Sequence, residues 1–138
     1  QLEKFPSCVE KRKENFAKLY NGLKPVEEKL ILPKATEGSD PSWFGFLMTL
    51  RDGVNFTRNN LVEHLESNNI QTRNLFAGNI TRHPCFDTLR KDVDYRVAGS
   101  LVNTDKIMND SFWIGLYPGM NDEAISFMVK CIVDYIKG

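Results

Sequence analysis

Apolar residues recur every three or four positions over much of the chain, which is the period of an amphipathic helix. This pattern predicts a first helix over residues 6–21, capped by Gly22. It predicts a second helix that starts after Asn55 or Thr57 and ends in the cluster at 67–69. A last helix follows Asn121 or Asp122, and its apolar face is formed by Ile125, Met128, Val129, Ile132, Val133 and Ile136.

Extended apolar and aromatic segments lie between these helices. They predict strands at residues 42–50, 70–75 and 111–117. Two further helices are expected, one from Asp87 or Thr88 and one over residues 98–108, whereas residues 24–41 fit either a short helix or a strand. Few strands among many helices favour the α+β class: a single domain spanning residues 1–138, with a three-stranded mixed or antiparallel sheet flanked by helices.

The charge balance and the cysteines narrow the classes of partner. Lys plus Arg equals Asp plus Glu at 18 each, so no overall basic field attracts nucleic acid or an anionic membrane surface. No apolar run approaches the roughly 20 residues that span a bilayer. Cys8, Cys85 and Cys131 are odd in number and far apart, which argues against a disulfide framework or a structural metal site and favours the cytoplasm.

The motifs of common enzymes are missing from the sequence. It contains no phosphate-binding glycine loop, nucleophile elbow or zinc-binding His pair, and His64 is expected to face solvent. Asp105, Asp110 and Asp122 stand where a helix cap or turn needs an acceptor. The chain is therefore not expected to catalyse a reaction alone.

The stretch NLFAGNITRHP, residues 74–84, is the strongest candidate for a binding site. Guanidinium groups such as those of Arg73 and Arg82 bind phosphate oxygens in a fork, and the amide of Asn79 suits sugar hydroxyls. Gly78 would let backbone amides approach a ligand. The alternative is that these side chains only cap and solvate a turn.

Three motifs carry a resemblance to a known family: SWFGF, TRNLFAGNITRHP and VNTDKIMNDSFWIGLYPG. With them the chain resembles, over nearly its whole length, the C-terminal part of the sugar aminotransferase/dehydratase family built on the aspartate-aminotransferase fold (fold type I of the pyridoxal phosphate enzymes). It is most similar to the branch that removes the 3-hydroxyl of CDP-4-keto-6-deoxyglucose in lipopolysaccharide biosynthesis. The start QLEK resembles the end of the helix that leaves the large domain, so the chain is expected to be a fragment.

The resemblance implies chemistry that lies mostly outside this chain. In the family, an N-terminal large domain holds pyridoxal or pyridoxamine phosphate. In the CDP-sugar branch a histidine replaces the usual Schiff-base lysine, a [2Fe–2S] cluster is bound, and a reductase supplies electrons. Apart from the resemblance, a homodimer formed partly through the first helix is expected, because Leu2, Phe5 and Val9 would leave an exposed apolar patch there. The fragment itself is expected to hold no cofactor or metal and to provide no catalytic residue, so it should be inactive alone.

The resemblance also assigns roles to residues that face the substrate. Phe44 and Phe46 would form a wall near the cofactor and sugar, on one face of a strand, and Arg73, Asn79 and Arg82 would contact the polar parts of a CDP-sugar. Trp43 and Trp113 are assigned to the core. Two alternatives stay open: the same domain of a nucleotide-sugar aminotransferase, and a free-standing ligand-binding module.

Overall fold

The chain forms an α+β unit built on one antiparallel sheet. The computed structural model describes residues 2–138. The helices are α1 (Phe5–Leu23), α2 (Arg58–Ser67), α3 (Val102–Asp110) and α4 (Asp122–Lys137). The strands are β1 (Leu30–Ile31), β2 (Gly45–Leu50), β3 (Thr72–Asn74) and β4 (Ser111–Gly115), in the order β1-β2-β4-β3.

The predicted strands do lie in one sheet, but the sheet has four strands and not three. The additional strand, Leu30–Ile31, comes from the segment whose structure the sequence left open. It pairs with the end of β2, where Leu30 lies opposite Leu50. Two residues carry too little pattern to separate a strand from a helix, so only the pairing with β2 defines this element.

One face of the sheet forms the core. In β2 and β4 alternate side chains point to it, and Phe46, Met48, Phe112 and Ile114 are at most 2% exposed. Burying side chains of this size contributes roughly 1.5–3 kcal/mol each. Helix α4 packs against α1 and α2 and adds Ile125 and Ile132 to the same cluster, so the apolar face that the sequence predicts for this helix points to the core.

Helices α1 and α4 approach each other closely at Gly22. This residue lies inside α1 and not at its C-terminal cap, so that prediction is wrong. A Cβ on Gly22 would lie 2.7 Å from Cγ2 of Val129. The glycine therefore makes room for a neighbouring helix, which is a tertiary requirement that a pattern within one helix does not reveal.

Helix starts were predicted best where a side-chain cap exists. Thr57 accepts a hydrogen bond from the backbone N–H of Asn60 and begins α2, and Asn121 does the same for Ala124 at the start of α4. The helix expected from Asp87 or Thr88 is absent. There Asp92 adopts a positive φ of 65°, and the carboxylate of Asp94 accepts a hydrogen bond from the backbone N–H of Arg90, which makes this segment a turn.

Within residues 2–138, no helix is long and apolar enough to cross a bilayer.

Candidate functional site

The face of the sheet opposite the core carries the first part of the candidate site. Arg73 of β3 lies opposite Trp113 of β4, which in turn lies opposite Leu47 of β2, so these three side chains share that face. A Cβ on Gly45 would lie 3.4 Å from the indole Cε3 of Trp113. The indole therefore lies close beside the backbone of Gly45.

Two exposed phenylalanines flank Trp113. The ring centroid of Phe44 is 5.2 Å from that of Trp113 and the centroid of Phe76 is 5.3 Å from it, both in edge-on geometry. Phe44 is 73% exposed and Phe76 is 81% exposed. Phe76 also adopts a φ of 46°, a conformation that is costly for a bulky residue and that recurs at functional sites. We refer to Phe44, Phe76 and Trp113 as the aromatic cluster.

A groove of about 620 Å³ begins at Phe44 and Trp113, two members of the aromatic cluster. It extends between the turn that precedes β3 and the first half of α4, where its walls include Ile70, Phe127 and Met128. Of the described residues that line it, Arg73 alone carries a charge. A mainly apolar groove with one cation suits a ligand that combines a ring with an anionic or strongly polar group.

The second part of the candidate site is the loop after β3, which is fastened to α3. Nε of Arg82 donates to Oδ1 of Asp105 over 2.9 Å, and Nη2 donates to Oδ2 over 2.7 Å. Nδ2 of Asn79 donates to the same Oδ1 over 2.6 Å. These hydrogen bonds, from Arg82 first and then from Asn79, lower the pKa of Asp105 from 3.8 to about 2.

Backbone and packing contacts complete this attachment. Gly78 has a φ of 64°, and a Cβ there would lie 2.5 Å from Cβ of Met108 in α3. The backbone N–H of Asn79 approaches Sδ of Met108 at 3.4 Å, and the ring of His83 donates to the carbonyl of Ala77 over 2.6 Å. We call Asn79, Arg82 and Asp105 the clamp, because they hold the loop on α3.

The structure separates the five predicted site residues into three places. Phe44 and Arg73 meet at the groove, and Asn79 and Arg82 belong to the clamp. Phe46 is fully buried in the core, so the expectation that it shares a face with Phe44 is wrong. The strand starts at Gly45, and the alternation of faces does not extend back to Phe44. Substrate contact by any of these residues stays a prediction.

The two tryptophans differ in position as well. Trp43 stacks on Phe16 with ring centroids 4.1 Å apart and packs against the core, as predicted. Trp113 was assigned to the core but lies on the opposite face of the sheet, so that assignment is wrong. Alternation within FWI was a signal for this, because Phe112 and Ile114 fill the core and Trp113 must then point away.

Phe76 and Asp105 are further candidates that sequence reasoning missed. Asp105 lies in the first turn of α3 and does not cap it, so its partner could not be inferred from local pattern. Arg82 is 23 positions away in the chain, and only the tertiary structure joins the two. Phe76 lies within the predicted loop motif, but an exposed aromatic residue in a loop has no periodic pattern to mark it.

The described residues offer no obvious cofactor chemistry. Across residues 2–138, no group of three or more His, Cys, Asp or Glu side chains could hold a metal ion. His64 is not simply solvent-facing: its Nε2 lies 3.3 Å from Sγ of the buried Cys131. His83 is bonded to a backbone carbonyl, and the described part of the groove has no lysine or histidine. The residues present therefore do not fit a Schiff-base site or an iron–sulfur cluster.

Solved structures identify the class of fold. A GDP-4-keto-6-deoxy-D-mannose-3-dehydratase from E. coli, with bound hydrated PLP, superimposes with a TM-score of 0.81 at 23% identity, over 96% of this chain and 32% of that one. DesV of S. venezuelae, in complex with a ketimine intermediate, gives a TM-score of 0.80 at 17% identity, over 99% of this chain and 34% of the DesV chain. The chain thus has the fold of a small α+β domain of the PLP-dependent aminotransferase type, as the resemblance implied.

The chain belongs to the DegT/DnrJ/EryC1/StrS aminotransferase family, whose sequence profile matches residues 1–133. It is 50% identical over 130 residues to the lipopolysaccharide biosynthesis protein RfbH of Salmonella typhimurium. The matched region covers 94% of this chain and 29% of RfbH. It is 45% identical over 136 residues to dTDP-4-dehydro-2,6-dideoxy-D-glucose 3-dehydratase of Saccharopolyspora spinosa, covering 99% and 28%. The chain therefore spans less than a third of the length of these relatives.

Proposed function

We propose that the chain is the C-terminal small domain of a nucleotide-sugar 3-dehydratase that acts on CDP-4-keto-6-deoxyglucose in deoxysugar and lipopolysaccharide biosynthesis. The observation that carries the proposal is identity of 45–50% along almost the whole chain to RfbH and to a sugar 3-dehydratase. The choice of cytidine as the base rests on the resemblance described for the sequence. The parent protein is then an enzyme, and this domain supplies substrate contacts.

The groove supports this role through its shape and chemistry. The rings of Phe44 and Trp113 can pack against a sugar or nucleobase ring, and Arg73 can pair with a phosphate or keto oxygen at the same wall. Arg82 offers a second cation from the loop, with its side chain 62% exposed. Of the five residues first assigned to the substrate, the proposal keeps Phe44, Arg73 and Arg82 as contacts and gives Asn79 the task of shaping the loop.

Phe46 has a supporting role in this proposal. The centroid of its ring lies 5.2 Å from that of Phe16 of α1, on the core side of β2, the strand that starts directly after Phe44. A fully buried ring at this point fixes the strand and hence the base of the groove wall.

The cofactor and partners belong to the remaining chain in this proposal. Pyridoxal or pyridoxamine phosphate bound there would supply the electron-withdrawing ring that makes loss of the 3-hydroxyl feasible. A [2Fe–2S] cluster and a reductase are part of the proposal on the resemblance alone. A homodimer is part of it because Leu2 and Phe5 leave apolar side chains exposed at the start of the chain, and the cytoplasm because the cysteines are few and scattered. No chemical step is assigned to residues of this domain, which bind and orient the sugar.

The decisive experiment uses the full-length protein with CDP-4-keto-6-deoxyglucose. Loss of the 3-hydroxyl in the presence of pyridoxamine phosphate and a suitable reductant supports the dehydratase. Transfer of an amino group to the 4-position from an amino-acid donor, with the 3-hydroxyl retained, supports the aminotransferase instead. Binding of the CDP-sugar without either reaction would leave the chain as part of a binding protein and overturn the proposal.

A further inference from the structure

Arg82 is held by Asp105 in a way that leaves much of its guanidinium group free. The guanidinium has five N–H groups, and the two bonds to Asp105 use one on Nε and one on Nη2. The remaining N–H groups on Nη2 and Nη1 form the opposite edge of the fork. The side chain as a whole is 62% exposed, so a ligand can approach it from solvent.

Asp105 is itself held in place from two directions. Its backbone N–H donates to the carbonyl of Leu101 over 2.8 Å at the start of α3, and Oδ1 also accepts from Asn79. Asn79 is 3% exposed, and its own Oδ1 accepts from the backbone N–H and hydroxyl of Thr81. A side chain with so many fixed partners has little freedom to move, so it can orient the guanidinium that it binds.

We propose that Asp105 is a positioning residue, which holds the Arg82 guanidinium so that its free edge receives a phosphate oxyanion of a nucleoside diphosphate. The inference rests on the proposed function, because it takes the nucleotide part of the substrate as the ligand of Arg82. An arginine oriented in advance loses less conformational freedom when it binds, and this gain appears as affinity. Asp105 acts on the ligand only through Arg82.

A second pair of arginine and aspartate, in the same segment between β3 and α3, provides a matched control. Nε of Arg90 donates to Oδ2 of Asp94 over 3.0 Å and Nη2 donates to Oδ1 over 3.2 Å. This pair has the same two-bond geometry but joins residues four positions apart within one turn, and the carboxylate of Asp94 accepts its hydrogen bonds from Arg90. Removing the charge of Asp94 therefore repeats the chemical change at Asp105 without disturbing Arg82.

The test measures the dissociation constant of CDP by calorimetry on the full-length enzyme. We expect Asp105→Asn and Arg82→Ala each to weaken binding roughly tenfold, and the double variant to bind no more weakly than Arg82→Ala alone. Arg82→Lys, which keeps the charge but loses the fork, should resemble Asp105→Asn. Asp94→Asn should stay within about twofold of the unsubstituted enzyme. In turnover, Asp105→Asn should raise KM for the CDP-sugar and leave kcat nearly unchanged.

The results separate this inference from the function on which it rests. If Arg82→Ala leaves CDP binding unchanged, the loop does not contact the nucleotide, and both the proposed contact and the inference are wrong. If Arg82→Ala weakens binding while Asp105→Asn does not, or if the two effects add in the double variant, only the positioning role is wrong. Should Asp105→Asn fail to fold, the Arg82→Lys measurement decides: binding as tight as that of the unsubstituted enzyme overturns the inference.

Discussion

Phe44 and Phe46 are two positions apart and lie in opposite environments. Phe46 is fully buried beneath the sheet, whereas Phe44 is 73% exposed beside Trp113 on the other face. The core face is covered by helices α1, α2 and α4 and is rich in aliphatic and aromatic side chains. The opposite face carries Arg73 and Trp113, beside which the groove begins.

This difference shows how one short strand can serve two purposes. The core face supplies most of the free energy of folding, because its side chains are removed from water. The opposite face leaves large apolar rings in water, which contributes little to folding and is typical of a binding surface. Substitutions on the two faces should therefore affect different measurements.

The largest expected effect comes from exchanging each of these phenylalanines for alanine. Phe46→Ala should lower the free energy of unfolding by about 3–5 kcal/mol, because it leaves a cavity in the core. Phe44→Ala should cost about 1 kcal/mol or less, since it loses only an exposed ring pair. Urea unfolding of both variants measures this. Equal losses of unfolding free energy at the two positions would show that the exposed face contributes to folding as much as the core face does.

A smaller effect is expected where the loop after β3 meets α3. Gly78→Ala should lower the free energy of unfolding by about 2–4 kcal/mol, because the new Cβ is strained at a φ of 64° and overlaps Met108. Gly53 is a matched control, with a φ of 78° and open space around it, so Gly53→Ala should cost only about 1–2 kcal/mol. Thermal or urea unfolding compares the two. If both substitutions cost the same, the loop is not packed on α3 as described.

The smallest effect is a dependence on pH at Asp105. Its pKa is lowered from 3.8 to about 2, so its stabilising contribution is complete above the unfolded value and is lost as the pH falls through the folded one. Asp105→Asn should therefore lower the Tm at neutral pH, and the gap to the unsubstituted protein should close between pH 3.8 and about 2. A gap that stays constant over this range would mean that the charge of Asp105 does not stabilise the fold.

Sequence reasoning succeeded where structure is decided locally. Thr57 and Asn121 satisfy backbone N–H groups within their own first turns, so for α2 and α4 one of the two caps that the sequence offers is the observed one. The apolar period of α4 and the aromatic segments of β2 and β4 also identify their elements without outside information. The α+β class and a single sheet follow from the order of such elements.

Failures occurred where a distant residue decides the outcome. Glycine often ends a helix, so local pattern predicts a cap at Gly22, but the neighbour that requires this glycine, Val129, lies more than a hundred positions away in the chain. The face on which Phe44 lies depends on where β2 starts to pair with β4, which is set at Gly45 opposite Gly115. Local pattern has no access to either contact.

The sequence by itself determined the family, the class of fold and the loop that carries Asn79 and Arg82, because motif spacing, apolar period and capping residues are properties of neighbours in the chain. Tertiary structure alone decided that Arg82 pairs with Asp105, that Trp113 joins Phe44 and Phe76, and that Phe46 belongs to the core. The physical reason is that burial and hydrogen-bond partners depend on which segments pack together after the strands pair, and that choice joins residues tens of positions apart.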